Sequence, residues 1–261
     1  MSAPPFSELV STITGDQPPR VWSLLVTVFG DLARQEKARI GGPVITQLTE
    51  LMGIKPEATR VALHRLRKDG WIESRRNGRS SGYRLTPLGR EQSDAASPRI
   101  YGTEPPVSRA WMIITDPREA AGIAGVQIAP AVWMAAMLPA AGDTLTAEID
   151  SCTELPGWIR ARLCNDDLCA QSIEISVRCE ALLNKLAMSD VPGALEVAAL
   201  RVLIVHGWRR LALRTPVLPD FVFPETWRGV ECRQLVAQLL AALPAPPLDA
   251  LERAVAARQA G

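Results

Sequence analysis

The sequence predicts an α+β protein in three parts: a basic head of helices closed by a hairpin, a small middle unit of strands, and a helical remainder. Three observations predict it. Residues 43–85 read as helix, tight turn, helix and arginine-rich hairpin; residues 109–151 hold apolar runs of strand length; from residue 156 onward apolar positions recur at helical spacing. The 261 residues, 47% of them hydrophobic, suffice for well-packed cores in one large or two to three small domains.

The net charge of +1 conceals an asymmetry. Residues 20–90 carry 14 Lys and Arg against 6 Asp and Glu, a balance of +8, which leaves −7 for the rest. A basic module joined to an acidic one suits a nucleic-acid-binding head whose body stays off the phosphates. Cys152, Cys164, Cys169, Cys179 and Cys232 are odd in number, scattered and without a C-x-x-C pair, and only His64 and His206 accompany them. Neither a disulfide framework nor a metal site is expected, and the thiols should be reduced. No apolar run reaches the ~20 residues of a membrane span and the N-terminus lacks a secretory pattern, so the expected location is cytoplasmic, with no membrane partner.

Residues 1–19 contain four prolines and no sustained periodicity, which predicts a flexible N-terminal arm, although Phe6, Leu9 and Val10 could dock. Residues 20–97 form the expected head. Its opening helix, 21–36, is apolar over a wide arc (Trp22, Leu25, Val28, Phe29, Leu32) and should be its spine or part of a dimer contact. The next, 43–52, starts with Pro43 in a tolerated first-turn position and sets Val44, Leu48 and Leu51 at helical spacing before Gly53 stops it. The third, 56–69, opens at Pro56 with Glu57 in its first turn and ends at Gly70.

Within that third helix Thr59, Ala62, Leu63 and Leu66 face the core, which leaves Glu57, Val61, His64, Arg65 and Lys68 opposite and Arg60 and Arg67 at the flanks. Such a face can reach phosphates and base edges. Strands over 71–76 and 83–86 enclose Asn77 and Gly78, a tight-hairpin pair, with Arg75, Arg76 and Arg79 at the tip, where they suit a minor groove or flanking phosphates. Helix, short turn, helix and basic hairpin together read as a winged helix-turn-helix that binds double-stranded DNA. A winged helix that docks protein instead is the bland alternative.

A helix over 86–97 fades into 97–107, where Pro98, Gly102, Pro105 and Pro106 predict a break and a domain boundary. Residues 106–155 form the middle unit, with strands over 109–115, 125–136 and 144–151. Asp116 could be a catalytic carboxylate at a strand end, but Asp116, Pro117, Arg118 and Glu119 also spell a helix cap, and the cap is the favoured reading. Residues 156–261 are the helical part, with helices over 156–188, 194–214, 228–243 and 248–260. In the second of these Leu203, His206, Arg210 and Leu213 share a stripe, beside Trp208 and Arg209. That set could hold an anionic, partly aromatic ligand; the reading favoured from spacing is a helix whose polar residues bond to the adjoining domain. No phosphate loop, nucleophile elbow or paired acidic residues mark an enzyme, and no cofactor is expected.

The runs SLLVTVFGD (23–31), SRRNGRSSGYRLTPLGR (74–90) and VHGWRRLALRTPVLPDFVFPETWRG (205–229) carry a further signal. With Arg60, Leu63, Arg65, Leu66, Gly70 and Trp71, and with Arg99, Ile100 and Tyr101, they resemble the PaaX-like family of bacterial repressors of phenylacetic acid degradation. The resemblance implies a winged helix, a central ferredoxin-like domain related to small CRISPR-associated nucleases, and a helical C-terminal domain. It also implies a homodimer that represses a catabolic promoter until an aryl-acetyl coenzyme A thioester, typically phenylacetyl-CoA, weakens its hold on DNA; two heads on one dimer would want a palindromic operator. His206, Arg209 and Arg210 would then help form or support the effector site. The rival from another class is a metal-dependent nuclease with Asp116 as ligand.

Overall fold

The computed structural model describes all residues except 1–3, 16–18, 78–79, 104–106, 117, 119–121, 140–142, 190–191 and 261. Helix α1 spans Phe6–Thr14 and α2 spans Val21–Leu32; strand β1 (Ile40–Gly41), α3 (Gly42–Leu51), α4 (Pro56–Lys68), β2 (Ile72–Asn77), β3 (Ser80–Leu85) and α5 (Pro87–Tyr101) follow. Then come β4 (Ala110–Thr115), β5 (Gly125–Ala129), β6 (Val132–Ala135) and β7 (Thr144–Ile149). The remainder is α6 (Gly157–Leu163), α7 (Asp166–Leu186), α8 (Ala194–Ala212), a 3-10 turn at Asp220–Val222, α9 (Gly229–Ala242) and α10 (Leu248–Ala260).

The first sheet is antiparallel in the order β1-β3-β2, with Asn77 opposite Ser80 at the hairpin end. Gly53 and Gly70 end α3 and α4 in the left-handed region (φ 77° and 75°), where a side chain would be strained, and Trp71 N–H closes back on Leu66 O at 2.9 Å. Thr86 locks this corner: its hydroxyl donates to Gly70 O at 2.6 Å and accepts from Gly89 N–H at 3.1 Å as the cap of α5. A Cβ on Gly89 would lie 2.3 Å from Trp71 O, so only glycine lets α5 approach the end of α4 this closely.

The second sheet is antiparallel in the order β5-β6-β4-β7 and puts Ala110, Ile128, Met134 and Ile149 into the core. Among the described residues the buried apolar side chains form two cores, and α8 belongs to both. Its residues Leu195, Ala198, Ala199, Val202 and Leu203 join the core of α2, α3, α4 and the first sheet, along with Leu251 and Val255 of α10. Leu200, Ile204, Val205, Trp208 and Leu211 join the core of the second sheet with α6, α7 and α9. A helix with apolar residues on two faces is one that packs on two sides.

At the seam between the two cores lies a buried polar hub. Asp31 of α2, its side chain 1% exposed, accepts from Arg201 Nε of α8 at 2.8 Å and from the Tyr101 hydroxyl of α5 at 2.8 Å. Arg201 also donates to Leu243 O at 3.0 Å, just past the end of α9. Burial, with the Asp31 carboxylate beside it, pushes the Tyr101 hydroxyl well above its ordinary pKa.

Four sequence expectations are corrected. The expected flexible arm contains α1, which packs on α7 and α8 with Leu9 buried, and Lys185 Nζ holds Glu8 at 2.6 Å. The partners that order it are distant in sequence. Helix α5 does not stop at residue 97 but runs through Pro98 to Tyr101, tethered by Trp208 Nε1 donating to Ile100 O at 2.9 Å. The strand expected over 125–136 is a hairpin, turning at Pro130 and at Ala131 with φ 66°. The helix expected over 156–188 breaks at Cys164, and Asn165 Oδ1 accepts from Leu168 N–H at 3.0 Å to start α7 afresh.

Candidate nucleic-acid interface

The side chains of α4 divide as the periodicity requires. Thr59, Ala62, Leu63 and Leu66 are buried, and the Thr59 hydroxyl donates to Thr49 Oγ1 at 2.8 Å, fixing α4 against α3. Each fully buried leucine stabilises this arrangement by about 1.5–3 kcal/mol. Arg60, His64, Arg65, Arg67 and Lys68 are all exposed, so the structure brings the five helix candidates onto one continuous outer surface. Val61 sits among them at 70% exposure. The periodicity already puts it on this face, and an apolar group there can meet a thymine methyl.

Arg65 is partly engaged, 3.6 Å from Asp69 and 5.7 Å over the ring of Trp22, which meets Trp71 edge-on at 6.1 Å. Among the described residues, Arg60, Arg67, Lys68, Arg75 and Arg76 have no carboxylate within ion-pair distance. Arg75 and Arg76 are exposed on β2, and Arg79 lies outside the described residues. Arg84 is paired across the ladder with Glu73 and is not free for a ligand.

The three effector candidates do not share an open site. His206 is 4% exposed, with Nδ1 3.3 Å from Thr27 Oγ1 and Nε2 buried without a partner. Arg209 donates to Thr27 Oγ1 at 3.1 Å and Ser23 O at 3.3 Å, whereas Arg210 is exposed. His206 and Arg209 therefore fasten α8 to α2, as the spacing favoured. Burial first, and the Arg209 and Arg210 cations second, push the His206 imidazole down to about 4 from an ordinary 6.5.

A depressed histidine pKa makes the unfolded chain bind the proton first, so stability should fall as pH drops from 6.5 toward 4 and hold steady above 6.5. The loss is on the order of 3 kcal/mol. Urea melts at pH 7.5 and pH 5 should show it in the parent and not in His206→Gln; equal pH dependence in both would remove His206 as the cause.

Asp116 Oδ1 accepts from Arg118 N–H at 2.8 Å, a turn-capping bond, while Pro117 and Glu119 of the expected cap lie outside the described residues. Among the described residues no group of three or more His, Cys, Asp or Glu gathers as a metal site, and no helix is long and apolar enough to cross a membrane. All five cysteines are free; burial pushes Cys179 and Cys232 up to about 12.

Comparison with known proteins agrees with the two regions built above. A model described as PaaX-like protein matches residues 20–89, and one described as PaaX-like protein C-terminal domain matches residues 167–252. A relative, the transcriptional repressor PaaX of Escherichia coli (strain K12), is 26% identical over 247 residues, covering 82% of this chain and 77% of that protein. With both of these regions matched and the alignment to the relative covering 82% of the chain, the chain belongs to the PaaX-like protein family.

Proposed function

We infer that this chain is a DNA-binding transcriptional regulator, acting as a repressor, whose 20–90 region is a winged helix-turn-helix. The observation that carries the reading is the outer face of α4, where Arg60, His64, Arg67 and Lys68 are exposed while the opposite face is locked into the core. The E. coli relative's name as a transcriptional repressor supports it. In this reading α4 enters the major groove, Arg60, His64 and Arg65 reach base edges, and Lys68 with the wing arginines grips phosphates. A homodimer would read a palindrome with half-sites about 34 Å apart, or a multiple of that. The middle unit is read as ferredoxin-like: β4 lies between β6 and β7, with β5 outermost, as that fold requires. The released state is favoured by an aryl-acetyl-CoA thioester, phenylacetyl-CoA being the first to try, provided it binds the two protein states with different affinity.

The test is a gel-shift titration on DNA from upstream of the protein's own gene, at two salt concentrations, with and without phenylacetyl-CoA. Tight, salt-sensitive binding released by the thioester is expected; absence of binding to any promoter fragment would favour the protein-docking alternative. Arg75→Ala and Arg76→Ala should each weaken all sequences alike and flatten the salt slope by about 0.9. Arg60→Ala should instead cost about 1–3 kcal/mol of discrimination at one base position. Equal loss on operator and random DNA would take Arg60 out of the readout.

A further inference from the structure

Trp22 stands in the first turn of α2, beside the outer face of α4, with its ring packed at the edge of the head core. The guanidinium carbon of Arg65 lies over that ring, 5.7 Å from a ring centroid, within the range in which an aromatic face attracts a cation. Asp69 Oδ2 is 3.6 Å from the Nε of the same arginine. Trp71 meets Trp22 edge-on at 6.1 Å and is itself fixed at both backbone groups, its N–H on Leu66 O at 2.9 Å and its O on Thr86 N–H at 3.0 Å. A brace therefore runs from the end of β3 through Trp71 and Trp22 to one exposed arginine of α4.

Two members of this set are badly placed for stability. Trp22 Nε1 is buried with no acceptor among the described residues, so the indole gives up the hydration of its N–H without return, a cost that a phenylalanine would not carry. Asp69 caps the C-terminal end of α4, where the helix dipole disfavours an anion. Neither choice favours the fold, and both converge on Arg65; departures from local rules gather where a side chain serves a ligand. Arginine suits such a place, because its planar fork stacks on a ring by its face and keeps its edge for hydrogen bonds. With Nε beside Asp69, the two Nη groups are the end of the fork left for a ligand. A free arginine loses its rotamer freedom when it binds, whereas one already stacked has less to lose.

We propose that Trp22 is a positioning residue for sequence readout: it sets the plane of Arg65 so that the two Nη groups meet the O6 and N7 acceptors of a guanine in the major groove. The inference rests on the DNA reading above. It adds the base that Arg65 selects and a residue that acts through Arg65.

The test is selection of preferred sites from a randomised DNA pool by the full chain as parent, Trp22→Leu, Arg65→Ala and the double variant, followed by titration of each on the parent's selected site and on that site with one guanine changed. Arg65→Ala should relax one guanine position. Trp22→Leu should relax the same position and no other, cutting the preference for guanine there about three- to tenfold. The double variant should show no further loss beyond Arg65→Ala alone, because a residue that acts through Arg65 has nothing left to act on. The salt slope of Trp22→Leu should match the parent's, since no charge is removed. In the free parent the Arg65 Nε–H proton resonance, identified by its loss in Arg65→Ala, should be displaced by the ring current of Trp22 and return to an ordinary position in Trp22→Leu. If Trp22→Leu does not fold, Trp22→Phe takes its place, with a smaller loss at the same position. Unchanged guanine preference in the folded Trp22 variant, relaxation spread over many positions, a further loss in the double variant, or an undisplaced Arg65 resonance in the parent each overturns the inference and leaves the DNA reading standing. A parent that selects no common sequence overturns the DNA reading, and the guanine contact with it.

Discussion

Replacing Asp31 with alanine should lower the stability of the whole chain by about 3–5 kcal/mol, because it leaves a buried guanidinium without its anion. Asp31 is the acceptor for Arg201 at 2.8 Å and for the Tyr101 hydroxyl at 2.8 Å, and the Arg201 side chain is only 13% exposed. For a chain of this size the loss corresponds to a fall of roughly 10 °C in Tm. The double change Asp31→Leu with Arg201→Met should recover much of it, since a pair replaced by apolar groups leaves no orphan charge. Calorimetric melts of the three chains check this. A loss under about 1 kcal/mol for Asp31→Ala would mean that the hub is solvated and holds nothing together.

Trp208→Ala should cost a similar amount, about 3–5 kcal/mol, by a different route. The indole is 1% exposed in the second core and donates through Nε1 to Ile100 O at 2.9 Å. Truncation opens a cavity too deep to collapse and strands the Ile100 carbonyl. Trp208→Phe keeps most of the ring volume and loses the bond, so it should cost only about 1–3 kcal/mol. Denaturant titrations of both variants separate packing from hydrogen bonding; equal losses would assign the whole effect to the bond. Removal of the bond should also loosen the last turn of α5, visible as faster amide exchange near Ile100.

The head was legible in the sequence to a useful depth because its signals are local. Gly53, Gly70, Pro56 and the three-and-four spacing of Thr59, Ala62, Leu63 and Leu66 placed α3, α4 and the exposed cationic face within a residue or so. What stayed hidden depends on partners distant in the chain. Nothing near Leu9 announces that α7 and α8 will cover it. Pro98 reads as a helix stop until Trp208, more than a hundred residues on, holds the turn beyond it. The spacing puts His206 on a stripe with Arg209 beside it, but their partners Ser23 and Thr27 lie far away in the chain, and so the choice between a ligand site and a helix seam needs the structure. Two misses were avoidable: Asn165 followed by Asp166 and Asp167 is a cap written in sequence, and Pro130 marks the hairpin that divides β5 from β6.

The double allegiance of α8 bears on how such a regulator can be rebuilt. A chimera that grafts residues 20–101 onto a foreign partner leaves behind Leu195, Ala198, Ala199, Val202 and Leu203, together with Leu251 and Val255, and so exports a head with an open greasy flank. Such a graft should aggregate or demand a new lid. Re-tasking the protein is better done by editing α4 and the β2–β3 hairpin in place, with every helix that braces them kept aboard.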